Sequence, residues 1–323
     1  METPLVSVSL VAYNASAYIK GAIDGCLMQQ TSFPFEIIIH DDASQDQTPQ
    51  IILDYANKYP DKIVPIIQTV NQFSQGHEIN AKINIPRARG KYIAFLEADD
   101  YWIDPLKLQK QVDFMEKHPE VSMCFTAAKV MEASGSNNER IQRYRDYDSV
   151  CSEEDVILMG GRLANMGSAL VRKSIYDDLP EWYHHSQLWD NTVPLLAITH
   201  GKIQYLNDIT TVYRYNVPGS WTQKNVKNYK SRTKSIGRTL ALLDGFNEGT
   251  NYRYNELIKR KSKLISIGLL LLLDPQEEVF KKYYSRLNLP LKLEYKVFHL
   301  IGSYRLWERY RQIVRIFRKI KYI

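Results

Sequence analysis

The sequence predicts an α/β fold, a mostly parallel β-sheet flanked by helices, followed by a helical C-terminal region. Three observations predict it. Apolar runs at residues 5–11, 35–39, 63–67, 92–96 and 121–125 alternate with amphipathic helical segments, the order expected when each strand is followed by a helix that packs back on the sheet. The runs 35–39 and 92–96 are apolar except for Glu36, which suits strands buried on both faces. Beyond about residue 222 the strand signals stop and helical periodicities take over at 224–244, 252–273 and 275–286. Residues 1–222 and 223–323 therefore read as two domains.

Residues 5–11 alternate leucine and valine with serine and form the first strand, ended by Tyr13 and Asn14. Ile19, Ile23, Cys26 and Leu27 recur at helical spacing and predict a helix over 16–29. The second strand runs into the polar turn His40-Asp41-Asp42-Ala43-Ser44-Gln45-Asp46. Thr48 then caps a helix with Pro49 at its first position, where a missing amide hydrogen costs nothing. Pro65 interrupts the third strand and places it near a sheet edge. Residues 71–89 contain Gly76 and Pro86 and hold a helix around 78–83. After the strand at 92–96, Asp104 caps and Pro105 begins a helix with Leu108, Val112 and Met115 on one face. The polar stretch 132–155 reads as a mobile loop. Residues 165–171, 202–207 and 211–215 read as later strands, and Pro218-Gly219-Ser220-Trp221 as a turn.

At 323 residues, 44% hydrophobic and 24% charged, the chain has a globular composition and ample material for a core. Cys26, Cys124 and Cys151 lie far apart, without metal or redox spacing, and fit a reducing cytoplasm. The first apolar segment is too short and serine-rich for a signal peptide, and the run at 264–273 is about half the ~20 residues a bilayer span needs. His184-His185 has no cysteine or acid to complete a metal set. The net charge of +6 is unevenly placed: residues 281–323 carry twelve Lys or Arg and two Glu, a balance of +10, leaving about −4 for the rest. An anionic partner is therefore expected for the tail rather than for the whole molecule. Within 303–320, Leu306, Tyr310, Ile313, Phe317 and Ile320 form an apolar stripe opposed by Arg305, Arg309, Arg311, Arg315, Arg318 and Lys319. That profile suits a helix lying on an anionic membrane surface, or one docked on its own domain. No nucleic-acid-binding module accompanies the charge.

The chemistry gathers at residues 90–105, where the apolar strand breaks into Glu97, Asp99 and Asp100. Carboxylates clustered at the end of a buried strand must be solvated, paired or bound to a cation. Mg²⁺ typically takes one or two carboxylates plus phosphate oxygens of a substrate, and ligands favour the carboxyl ends of strands in an open α/β sheet. Asp41-Asp42 ends an earlier strand, so a parallel sheet puts both acidic turns on one edge. There Asp42 is placed to accept hydrogen bonds from a base or ribose, with Tyr13 stacking on the ring. No glycine-rich phosphate loop follows the first strand, because Ala12-Tyr13-Asn14-Ala15-Ser16 fits neither the dinucleotide nor the P-loop pattern. A bound nucleotide would then need a metal to neutralise its diphosphate.

Three stretches, taken in this order and at these spacings, resemble the family-2 glycosyltransferases of the GT-A (Rossmann-like) fold over residues 4–125. They are Val6-Ser-Val-Ser-Leu-Val-Ala-Tyr-Asn, Glu36-Ile-Ile-Ile-His-Asp-Asp-Ala-Ser-Gln-Asp-Gln-Thr and Arg89-Gly-Lys-Tyr-Ile-Ala-Phe-Leu-Glu-Ala-Asp-Asp-Tyr-Trp. The resemblance implies sugar transfer from a UDP- or dTDP-linked donor with inversion at the anomeric carbon. It implies Asp42 and Tyr13 at the nucleoside and Asp99 at the donor. Glu97, Asp99 and Asp100 become DXD-type ligands of Mg²⁺ or Mn²⁺, with glutamate in place of the usual first aspartate. The metal would serve as a Lewis acid for the departing nucleoside diphosphate.

The same resemblance places Arg214, in Tyr-Arg-Tyr, near the donor phosphates, where an arginine can pair with them. Inversion also needs a base for the acceptor hydroxyl. The family's acid is matched by Asp190 in Leu188-Trp-Asp-Asn, with Trp189 replacing the usual acidic neighbour; Asp177, Asp178 and Glu181 are alternatives. A helix-capping role for Asp190 competes with catalysis. The implied setting is the cytoplasm, at the membrane face, with a glycan or lipid-linked acceptor in bacterial surface-polysaccharide synthesis. A sugar-1-phosphate nucleotidyltransferase is one rival, but a glycine- and basic-rich loop after the first strand would be expected. A non-catalytic, membrane-peripheral nucleotide-binding protein is the other.

Overall fold

Ten strands form one mixed sheet around which the site is built. The computed structural model describes residues 2–133, 139–184, 188–220 and 229–270, with 223 and isolated positions beyond 280. Trp221, most of the expected helix at 275–286 and all of 303–323 lie outside the described residues. Strands β1 (Val6–Ala12), β2 (Phe35–Asp41), β3 (Ile63–Ile67) and β4 (Tyr92–Glu97) lie parallel in the order β3-β2-β1-β4. β5 (Tyr101–Trp102) pairs antiparallel with β10 (Lys202–Tyr215), which itself runs parallel to β6 (Val121–Glu132). β9 (Leu170–Arg172) joins the halves, antiparallel to both β4 and β6.

β2 is buried along its whole length and β3 forms the edge, as the apolar run and Pro65 anticipate. The serine face of β1 is buried too. Ser9 Oγ donates to Asn80 Oδ1 at 2.7 Å and accepts from Asn84 Nδ2 at 2.7 Å, so a π-helical turn (Asn80–Asn84) leading into α3 (Ile85–Arg87) covers that face. Ser7 Oγ donates to the buried Glu36 at 2.6 Å, and Arg89 closes on the same carboxylate at 2.6 Å, which pins the entry to β4.

Helix α1 (Ile19–Leu27) is shorter than the periodicity suggests, because residues 15–18 form a tight turn before it. Asp46 organises that corner. Its carboxylate accepts from Ser16 N at 3.0 Å and from Thr48 N at 2.9 Å. Burial opposes its charge, but the donors on Thr48 and Ser16 hold it down at about 2. Thr48 is thus the first residue of α2 (Thr48–Lys58) rather than its cap. α1 packs directly on the backbone of β5, where a Cβ at Gly25 would stand 2.9 Å from Trp102 N. Helix α4 (Lys107–Lys117) follows, with its face of Leu108, Val112 and Met115 buried.

The polar stretch expected to be a loop contributes structure among its described residues. β6 extends to Glu132, β7 (Arg140–Gln142) pairs with it, and β8 (Ser149–Val150) pairs with β10. Ser152 then caps α5 (Glu153–Met159) by accepting from Asp155 N at 3.0 Å. Ladder hydrogen bonds, not apolar alternation, decide those strands, which is why the pattern missed them. The two expected strands at 202–207 and 211–215 are one strand, β10, bent by register shifts around Ile209.

Helices α6 (Glu181–His184) and α7 (Trp189–His200) lead to the C-terminal pair, α8 (Tyr229–Gly249) and α9 (Asn255–Leu270). Leu242, Leu243, Phe246, Tyr254 and Ile258 belong to the same hydrophobic cluster as Phe95, Trp182, Val193 and Leu196. Ion pairs reinforce this contact, with Arg253 on Glu153 at 2.8 Å and Arg260 on Glu154 at 2.5 Å. The change of composition near 222 therefore does not coincide with a break in the core.

Candidate active site

The carboxyl ends of β1, β2 and β4 lie side by side, with Ala12 opposite Asp41 and Val11 opposite Glu97. The two acidic turns share one sheet edge, as the parallel reading requires. At the end of β4, Ala98 N bonds to Val11 O and Asp100 N to Glu97 O, which folds the chain into a turn that displays Glu97 and Asp99. Asp100 is buried, and its Oδ1 accepts the amide of Arg214 at 2.9 Å. The Arg214 side chain returns to the same turn, where Nη1 donates to Asp99 O at 2.6 Å. Its guanidinium lies over Tyr101 at 4.4 Å and Tyr18 at 5.2 Å. Arg214 is therefore a fixed part of the site rather than a surface residue.

α7 delivers Asp190 to the same place. The Glu97 side chain is exposed at the end of β4, and the surrounding protein, then Asp99 and then Asp190, raise its carboxyl above the usual carboxylate range. Trp189 opposes this by hydrogen-bonding Glu97, while its ring meets Phe95 of β4 edge-on at 5.5 Å. Trp189 thus joins α7 to β4 where the family pattern has an acid. Burial raises Asp99 against the lowering effect of Arg214. Asp100 is raised well above the usual carboxylate range by burial, Asp99 and Glu97. Burial also raises Asp190, against hydrogen bonds from Asn191. The acid nevertheless does not cap its helix: Leu188 is the N-cap residue, and the Asp190 carboxylate bonds its neighbour Asn191. Asp177 and Asp178 are exposed, and neither is among the charges that shift Glu97.

The nucleoside end differs from expectation in its contacts. Asp42 is 1% exposed, and its carboxylate accepts from Gln72 N at 2.6 Å and Phe73 N at 3.1 Å. His40 Nε2 stands 3.6 Å away. Asp42 thus anchors the segment that follows β3, a role no local pattern in residues 71–76 announced. Tyr13 is 49% exposed beside it. Tyr18, Tyr101 and Asn191 also join the site without having been singled out. Of these only Tyr101 adjoins a carboxylate turn in the sequence, the one local signal that could have found it.

Arg214 opposes the charge of Asp99 and Asp100 across this turn, while Glu97 is crowded by Asp99 and Asp190. Such crowded like charges fit a divalent ion with oxygen ligands. Among the described residues no group of three or more His, Cys, Asp or Glu converges as a metal cage.

The Glycosyl transferase family 2 model matches residues 7–180. The chain belongs to that family. The glycosyltransferase is 35% identical over 251 residues to an uncharacterised protein of Mycobacterium tuberculosis, covering 74% of this chain and 68% of that one. It is 38% identical over 112 residues to the Escherichia coli UDP-Glc:alpha-D-GlcNAc-diphosphoundecaprenol beta-1,3-glucosyltransferase WfaP, covering 35% of this chain and 41% of that one. The fold is similar to that of a Pyrobaculum calidifontis mannosyltransferase solved with GDP-Man and Mn²⁺, with a TM-score of 0.56 and 14% identity over 96% of this chain and 84% of that one. The enzyme has the GT-A fold. Among the described residues no helix is long and apolar enough to cross a membrane.

Proposed function

We propose that this glycosyltransferase moves a hexose, with inversion, from a UDP- or dTDP-linked donor to a glycan or lipid-linked acceptor in bacterial surface-polysaccharide synthesis. The observation that carries the reading is the meeting of Asp190 with Glu97 at the end of β4, opposite the Asp99–Arg214 contact. It sets a base beside a carboxylate site suited to a metal and a diphosphate. The Escherichia coli relative, whose name specifies UDP-glucose and a diphosphoundecaprenol acceptor, supports the donor and acceptor classes.

In this scheme Asp99 and Asp100, with Glu97 beside them, hold Mg²⁺ or Mn²⁺, which when bound neutralises charge on the nucleoside diphosphate leaving group. Arg214 pairs with the same diphosphate, and its stacking between Tyr18 and Tyr101 keeps it in place. Tyr13 stacks on the base. Asp42 serves the nucleoside through the segment 72–73 that it anchors. The Asp190 carboxylate takes the proton of the acceptor hydroxyl as that oxygen bonds to the anomeric carbon. The bond from that carbon to the diphosphate oxygen breaks on the opposite face.

The test is release of nucleoside diphosphate from a panel of nucleotide-sugars, with and without Mn²⁺. Metal-dependent release from at least one donor is expected, and none from any would contradict the reading. In calorimetry, Asp99→Ala should weaken Mn²⁺-dependent donor binding by at least about tenfold, the loss of one charge-assisted contact. Unchanged affinity would remove Asp99 from the metal site. Asp99 is a cleaner probe than Asp100, whose side chain also holds the Arg214 amide.

The basic segment 303–323 is proposed to hold the enzyme at the cytoplasmic membrane face. Deleting it should reduce co-flotation with vesicles containing anionic lipid, whereas equal flotation of both forms would exclude the tail as the anchor.

A further inference from the structure

Asn191 makes three hydrogen bonds, to two partners, that its local sequence does not announce. Its backbone amide donates to Asp190 Oδ1 at 3.0 Å and its side-chain Nδ2 donates to the same oxygen at 3.2 Å. Its own Oδ1 accepts the amide of Gly161 at 2.8 Å. The Gly161 contact fixes the amide orientation, since only the oxygen can accept from an N–H group. We propose that Asn191 is a positioning residue that holds the Asp190 carboxylate in one orientation against the Gly160-Gly161 turn. This rests on Asp190 being the base.

The turn is shaped to admit the pair. A Cβ at Gly161 would stand 2.8 Å from Asp190 Oδ2, and one at Gly160 would stand 2.7 Å from Asn191 Oδ1. Gly160 has a φ of +56°, a conformation costly for residues with a side chain. Both glycines thus leave the space that Asp190 and Asn191 fill. The C-terminal region backs the turn: Lys261 of α9 donates to Leu158 O at 2.5 Å, just before Gly160.

The two donors also fix how the carboxylate is turned. Both reach Oδ1, so the group is held in one rotation against Gly161. Without them it would rotate freely, and small misplacements of catalytic groups cost large factors in rate.

The test uses the full chain with Mn²⁺ and UDP-glucose, UDP-N-acetylglucosamine, dTDP-glucose and GDP-mannose as probes, reading diphosphate release. Asn191→Ala is expected to lower kcat by about 10²-fold with KM for the donor unchanged. Asn191→Asp keeps an acceptor for the Gly161 amide, so a purely structural role would be spared, but it offers Asp190 no side-chain donor. Its kcat is expected to stay low while its thermal unfolding matches the wild type. Wild-type kcat in Asn191→Asp, with Asp190→Asn inactive, would overturn the positioning role and leave the base reading standing. Normal turnover in Asp190→Asn would overturn the base and the proposal with it, as would failure of the wild type on every probe.

Discussion

Asp190→Asn should lower turnover by about 10²–10⁴-fold, the usual contribution of a general base, while donor affinity stays near wild type. The substitution is isosteric and keeps an oxygen able to accept from the Asn191 amide that now bonds Oδ1. It also removes one of the two carboxylates whose proximity raises Glu97, so stability should hold or rise. A drop in kcat without a drop in melting temperature or in calorimetric donor binding is therefore the expected combination. Retention of wild-type turnover would move the base to another acid. Parallel loss of donor binding would instead show that Asp190 belongs to the metal and diphosphate site.

Phe246→Ala should destabilise the entire chain by about 3–5 kcal/mol, the usual cost of removing a fully buried phenylalanine. Phe246 is fully buried, meets Trp182 edge-on at 5.2 Å and stacks on Tyr254 at 5.3 Å. Each aromatic pair adds about 0.5–1.5 kcal/mol beyond its area. Because Trp182 and Phe246 share a cluster with Phe95 and Val193, the loss should propagate into the catalytic half. Calorimetry should show one cooperative transition lowered by roughly 10 °C, and residues 1–222 expressed alone should lack a cooperative transition. Two transitions, only one of them moved by Phe246→Ala, would show that the C-terminal helices fold as a separate unit.

Much of the catalytic edge was legible in the chain because its signals are local. Residues 37–39 are apolar on both faces of the strand, and the acids of the turn begin just after that pattern stops. The same holds at 92–96. Parallel pairing of both strands with β1 then forces their ends together, whatever lies between. Pro65 marked the edge strand for an equally local reason, the absence of a backbone donor.

Other features depend on partners remote in sequence. Arg214 is 114 residues from the Asp100 it serves, and nothing around Tyr-Arg-Tyr predicts Tyr18 beneath it. Asp42 looked like a residue open to a base, yet the amides of Gln72 and Phe73 occupy its carboxylate. Thr48 had the right chemistry for a cap, but it is the first residue of the helix, its amide bonded by Asp46, which also holds Ser16. β7 and β8 escaped notice because short strands are held by ladder hydrogen bonds to β6 and β10 rather than by a hydrophobic period.

The sequence by itself determined the α/β class, the family, the edge on which the chemistry sits and the candidacy of Glu97, Asp99, Asp100 and Asp190. Periodicity, strand-end acids and ordered motifs are properties of contiguous residues, and contiguous residues carry them unaided. Only the tertiary structure decided that Asp190 faces Glu97, that Arg214 is fixed at the carboxylate turn, and that helices beyond residue 228 share the core. Those outcomes are set by side-chain packing and hydrogen bonding across long separations, where many partners are chemically acceptable and the fold selects one.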